Sequence, residues 1–112
     1  MDVRIVGEPG ILAAWRPATQ RELEAIPWTS SGDTGIGLVG DRRLVLGWLG
    51  TPCDLVAILT VSATSLVIDP APRQGCDAIG VGRGVVLTYL HPIDPSAVLV
   101  RLLPRVLLPE PS

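Results

Sequence analysis

The sequence predicts an all-β domain, a small antiparallel sandwich or barrel with one short helix near its N-terminus. Three observations carry that reading. Apolar residues make up 47% of the 112-residue chain, yet it has no Phe and one Tyr, so its core is built from Val, Leu and Ile with three Trp, a mixture that favours strands. Short apolar runs recur between Gly- and Pro-containing turns, the spacing of a sandwich or barrel. Only one segment carries a helix signature.

The length fits a single domain over residues 1–112, large enough for one core. Within it, 1–32 reads as an irregular N-terminal cover, 33–103 as the β core and 104–112, with its three prolines, as an extended tail. Val3–Val6 is a short strand candidate closed by the turn Gly7-Glu8-Pro9-Gly10, and Ile11–Trp15 is its expected partner. Thr19-Gln20-Arg21-Glu22 has capping-box spacing, Leu23 and Ile26 lie three apart on one face, and Pro27 ends the run. This predicts a two-turn helix over residues 20–26.

Thr29–Gly37 is polar and Gly-rich and reads as a loop. The strongest strand candidates are Arg43–Leu49, Leu55–Val61, Gly84–Leu90 and Val98–Leu103, with Ile36–Val39 and Leu66–Ile68 weaker. In Leu55–Val61 both alternating faces are apolar, and Val85–Leu90 behaves similarly. A strand with one wet face would alternate apolar and polar. Both faces are therefore expected to be covered, one by the N-terminal third and the other by a second subunit or a partner.

Cys53 and Cys76 occupy matching contexts, Pro52-Cys53-Asp54 and Gly75-Cys76-Asp77, each in a turn beside an apolar run. Loops at one end of a sandwich lie close together, so the pair is expected to form a disulfide, worth roughly 3 kcal/mol in the chain-entropy picture. That implies an oxidising, extracytoplasmic compartment. The alternative is two free buried thiols in a cytoplasmic protein. One His and no C-x-x-C pair argue against zinc and against a redox dithiol.

The residues Trp48-Leu49-Gly50-Thr51-Pro52-Cys53-Asp54, and Cys76-Asp77-Ala78-Ile79-Gly80-Val81-Gly82-Arg83 before an apolar run, match W-x-G-x-x-C-D and C-x-A-x-G-x-x-R. Over residues 42–100 the chain thus resembles uncharacterised small exported or lipoprotein-borne domains of GC-rich bacteria. The resemblance implies export and the Cys53–Cys76 bridge, and no activity. Met1-Asp2-Val3-Arg4 does not read as a signal peptide, a departure from that pattern.

Other motifs yield little chemistry. Gly35-Ile36-Gly37-Leu38-Val39-Gly40 matches G-x-G-x-x-G, but a polar loop precedes it and a strand follows, so a Gly-rich β segment is the better reading than a dinucleotide site. Gly80, Gly82 and Arg83 offer an anion- or ligand-binding loop, or simply a bend entering a strand. His91, Asp94 and Ser96 lie on one Pro-interrupted loop, where a triad rarely converges, and Asp94 reads as a turn cap. Asp54, Asp69, Asp77 and Asp94 lack cation-ligand spacing. Trp48 and Tyr89 read as core residues that could instead anchor an interface.

The net charge of −2 and the few aromatics speak against a nucleic-acid partner. The longest uncharged apolar stretch, Leu55–Ile68, is too short for a membrane span. The sequence thus predicts a non-catalytic structural or protein-binding domain, without metal or cofactor, that engages a protein partner or itself. The alternatives are a cytoplasmic subunit dimerising through an apolar sheet face, and a small ligand-binding protein or enzyme using the Arg83 loop.

Overall fold

The computed structural model describes residues 2–8, 10–51, 54, 56–70 and 80–104. They form two four-stranded sheets packed face to face as an open sandwich rather than a closed barrel. The strands are β1 (Asp2–Gly7), β2 (Leu12–Pro17), β3 (Thr34–Val39), β4 (Arg43–Gly50), β5 (Val56–Val61), β6 (Ser65–Pro70), β7 (Val81–Tyr89) and β8 (Leu99–Leu102). One helix, α1 (Gln20–Ala25), precedes β3, and a 3-10 turn at Pro95–Ala97 precedes β8.

The first sheet has the order β1-β5-β6-β8 and the second β2-β7-β4-β3. The second is antiparallel throughout. The first is mixed: β5 and β6 form a hairpin, while β1 runs parallel to β5 and β8 parallel to β6. The expected all-antiparallel arrangement therefore holds for one sheet only. The expected pairing of the first two strands is also corrected, because β1 and β2 sit at the edges of different sheets. A short connection can carry the chain from one layer to the other as readily as it can close a hairpin, and nothing local distinguishes the two outcomes. The N-terminal third is accordingly not an irregular cover: it supplies one strand to each sheet, and a helix.

Each strand's inward residues make the core. Leu44, Leu46 and Trp48 from β4 and Val85, Leu87 and Tyr89 from β7 face Ala57, Leu59 and Val61 from β5 and Leu66 and Ile68 from β6. Val3, Ile5, Ile36, Leu38, Val100 and Leu102 close its margins. The outward residues of β4 and β7 remain apolar because α1 covers them: Leu23 and Ile26 bury against Val45 and Val86 in a second, smaller core. The doubly apolar pattern of β7 is thus met within the chain.

Three of the four edges are blunted or occupied. A register irregularity between Leu12 and Ala14 and a proline at its end mark β2, and β8 has only four residues. Both devices discourage further strand pairing. The edge of β3 is partly occupied by the chain itself.

Candidate binding cleft

The cleft starts from the way α1 is held. Thr19 caps the helix by accepting the Glu22 N–H through its hydroxyl (3.2 Å), and the Glu22 carboxylate accepts the Thr19 N–H (3.0 Å). This is the capping box expected from the spacing. Glu22 is also clamped by both terminal nitrogens of Arg16 on β2, at 2.7 and 2.8 Å. The Arg16 guanidinium first, then the Thr19 N–H, holds the Glu22 carboxyl well below its ordinary value, at about 2. A six-residue helix does not persist alone. These ties and the burial of Leu23 hold it on the sheet.

The helix and the residues after it lie close because glycines thin the sheet surface beneath them on either side of Val45 and Val86. A Cβ on Gly37 would stand 2.7 Å from Cγ2 of Ile26, and one on Gly47 would stand 2.7 Å from Cζ2 of Trp28. Gly35 sits under the same indole, whose Nε1 donates to the Leu23 carbonyl at 2.8 Å. The G-x-G-x-x-G run is therefore a strand whose glycines admit Trp28 and Ile26. Its last member, Gly40, takes the positive φ (78°) of the turn into β4.

The edge of β3 is filled in part. Trp28 lies opposite Gly35 in an antiparallel bridge. Beside it the Thr29 N–H donates to the Thr34 carbonyl (2.8 Å) and the Ile36 N–H donates to the Pro27 carbonyl (3.3 Å). In that register the residues preceding Pro27 would lie along β3, but they belong to α1 and its end, and the chain enters the lane only at Pro27. Farther along, the Ile93 N–H donates to the Asp41 carbonyl at 3.0 Å. Between these two coverings stands Leu38. Residues 34 and 36 point their backbone groups away from β4, so alternation points the Leu38 N–H and C=O out of the edge as well. Among the described residues neither group meets a partner.

A cleft of about 550 Å³ opens at this position. Ala25, Ile26, Gly37, Val39, Val45 and Pro95 line it, with Glu22 and Ser96 at its margin. Both polar side chains are engaged: Glu22 by Arg16 and Thr19, and Ser96 by donating its hydroxyl to Asp94 Oδ1 at 2.6 Å. Such a site can bury apolar surface and exchange one pair of backbone hydrogen bonds. Volume and lining are of the kind that binding sites use.

The sequence-predicted candidates lie elsewhere. Trp48 and Tyr89 are both fully enclosed in the core between the sheets, so neither presents an interface surface. Their large apolar faces are consumed by packing the two layers. Gly82 and Arg83 belong to β7, opposite Leu49 and Trp48, and not to a loop; Gly80 immediately precedes the strand. Gly80, Gly82 and Gly84 are not among the positive-φ glycines, so the alternating backbone of an anion nest is not formed there. Arg83 instead lies against Gly50, and its Nη2 donates to the Thr51 carbonyl at 3.4 Å.

Near it the buried Asp54 carboxylate accepts the Thr51 N–H (2.9 Å) and hydroxyl (3.1 Å). Asp94 accepts the Ser96 N–H at 3.0 Å and caps the 3-10 turn, as its sequence context suggested. Cys53, Cys76 and Asp77 lie outside the described residues. Among the described residues no three His, Cys, Asp or Glu side chains are grouped to hold a metal ion, and no helix is long and apolar enough to cross a membrane.

The cleft itself went unread in the sequence. Its signals are Pro27, which ends the helix segment, and Gly37, which reads as loop composition until β3 is known to pass beneath Ile26. No family model, curated protein or solved structure matches this chain.

Proposed function

We propose that this protein is a non-catalytic protein-binding module, stapled by Cys53–Cys76 in an extracytoplasmic compartment, and that the cleft between α1 and β3 is its contact surface. The observation that carries the reading is the apolar 550 Å³ cleft beside a sheet edge that, among the described residues, is left open at Leu38. The staple rests on the matching cysteine contexts, and intact mass measurement under non-reducing conditions checks it. Two free thiols in protein recovered from its native compartment remove it.

Ala25 is exposed at the rim of the cleft and has no part in the core, which makes Ala25→Arg a clean test. A random heptapeptide library selected against the intact protein should yield sequences with closely spaced apolar residues. Those peptides should lose binding to the Ala25→Arg protein, while its thermal unfolding stays within about 2 °C of the parent, as exposed substitutions usually do. No selected sequence, or selection indifferent to Ala25→Arg, overturns the reading.

A second reading, a dimer through an apolar sheet face, draws on the outer surface of the first sheet, where Val6 and Leu99 are exposed and Ile58 and Val67 half-buried. The same surface carries the exposed Arg4, Asp69 and Arg101, which makes it a poorer hydrophobic interface than the cleft. Sedimentation at high concentration decides this, since a strict monomer eliminates it.

A further inference from the structure

We propose that the cleft recognises an extended segment of a partner polypeptide by strand addition at Leu38, with one residue of that segment exchanging two backbone hydrogen bonds. This rests on the binding reading above and specifies its chemistry.

The argument begins with the lane alongside β3. Pro27, Trp28 and Thr29 already run antiparallel to β3 in that lane, bonded to Thr34 and Ile36. Opposite positions in this register sum to a constant, so the residue that would face Leu38 is Ala25, and the one that would face Gly37 is Ile26. Neither occupies the lane, because Ala25 is the last residue of α1 and Ile26 covers Gly37 from above. The helix therefore vacates the lane just where β3 still presents a donor and an acceptor.

The vacated stretch is bounded. Ile36 is covered by Pro27 on one side, and Asp41 by Ile93 on the other. Five residue steps at about 3.3 Å span roughly 16 Å, room for an extended segment of three or four residues. An incoming residue opposite Leu38 would satisfy both of its outward groups. Its two neighbours, opposite Gly37 and Val39, would turn their side chains toward the outer face. There Ala25, Val45 and the flank of Ile26 offer apolar contact, and Gly37 contributes no bulk of its own. The chemistry selected is thus a short β strand with apolar residues at i and i+2 around a residue whose amide is free. Strand addition of this kind takes affinity from the main chain and specificity from alternate side chains.

The probe is acetyl-Leu-Val-Leu-amide, titrated into the intact isotope-labelled protein and followed by backbone amide shifts. Saturable shifts centred on Leu38 and Val39, with slowed exchange of the Leu38 amide, are expected. Methylating the central Val nitrogen should weaken the affinity at least tenfold, the scale of one hydrogen bond lost and one carbonyl orphaned. If the N-methyl peptide binds as well as its parent while Ala25→Arg abolishes both, the cleft binds side chains only. Strand addition then falls while the binding function stands. If neither peptide binds, both fall. Self-association of the free protein that Ala25→Arg abolishes makes a second copy the occupant, and overturns the partner-segment proposal.

Discussion

The indole of Trp28 fills the space that a side chain at position 47 would need: a Cβ on Gly47 would lie 2.7 Å from its Cζ2 and 2.8 Å from its Cη2. Gly47→Ala is therefore expected to destabilise the fold by about 1–3 kcal/mol through overpacking. Trimming the ring should restore much of the loss. Gly47→Ala with Trp28→Leu is expected to lose less than the sum of the two single changes, a coupling that chemical denaturation of the four proteins measures.

Glu22 links acidity to stability. Its carboxyl titrates at about 2 in the fold against 4.5 ordinarily, chiefly because Arg16 pairs with it. A carboxyl with a lowered folded value stabilises fully above the unfolded value and loses that contribution as the pH falls toward the folded one. The stabilisation is thus expected to fade between about pH 4.5 and 2. The difference in denaturation midpoint between the parent and Glu22→Gln, followed across that window, should shrink toward zero. A constant difference would show that Glu22 acts through packing.

Tyr89 is the chain's one tyrosine, so its ionisation is visible without interference. Burial pushes its hydroxyl up to about 12. Absorbance of the phenolate should appear near pH 10 in denaturant and only toward 12 in the folded protein. Among the described residues the hydroxyl has no hydrogen-bond partner. Tyr89→Phe is consequently expected to stabilise by on the order of 1 kcal/mol at neutral pH, which an upward shift in melting temperature would register.

Asp54 and Thr51 form a buried polar corner at one end of the second sheet. Removing the carboxylate strands the Thr51 N–H and hydroxyl, which Asp54 accepts at 2.9 and 3.1 Å. Asp54→Ala should cost about 2 kcal/mol or more, and Asp54→Asn, which keeps one acceptor, distinctly less. Equal losses would assign the effect to volume rather than to hydrogen bonding.

Local chemistry was legible and long-range pairing was not. Arg43–Leu49, with its apolar faces and bounding turns, reads as the strand that forms over Arg43–Gly50, and Thr19-Gln20-Arg21-Glu22 reads as the cap that it is. The strand β7 begins three residues earlier than its apolar run, because Val81, Gly82 and Arg83 pair with Gly50, Leu49 and Trp48, and glycines conceal a strand whose neighbour fixes it. Gly35 and Gly37 read two ways: the loop expected over Thr29–Gly37 runs too far, while the Gly-rich β segment from Gly35 forms as β3, the bulk its glycines lack being supplied by Trp28 and Ile26 from above. The cleft was not read because Pro27 marks only the end of the helix, and nothing local shows that the residues after it run beside β3.

The distant partners of β1 and β2 have a consequence for how the molecule is made. Asp2 meets Val56 and Leu12 meets Tyr89, so β1 and β2 wait for partners synthesised much later. Neither layer can close until most of the chain exists, and the loop entropy of those late closures puts folding in the millisecond-to-second range typical of β sandwiches. During translation β1 and β2 are exposed strands without neighbours, and a chaperone that shields nascent chains would find its longest opportunity there.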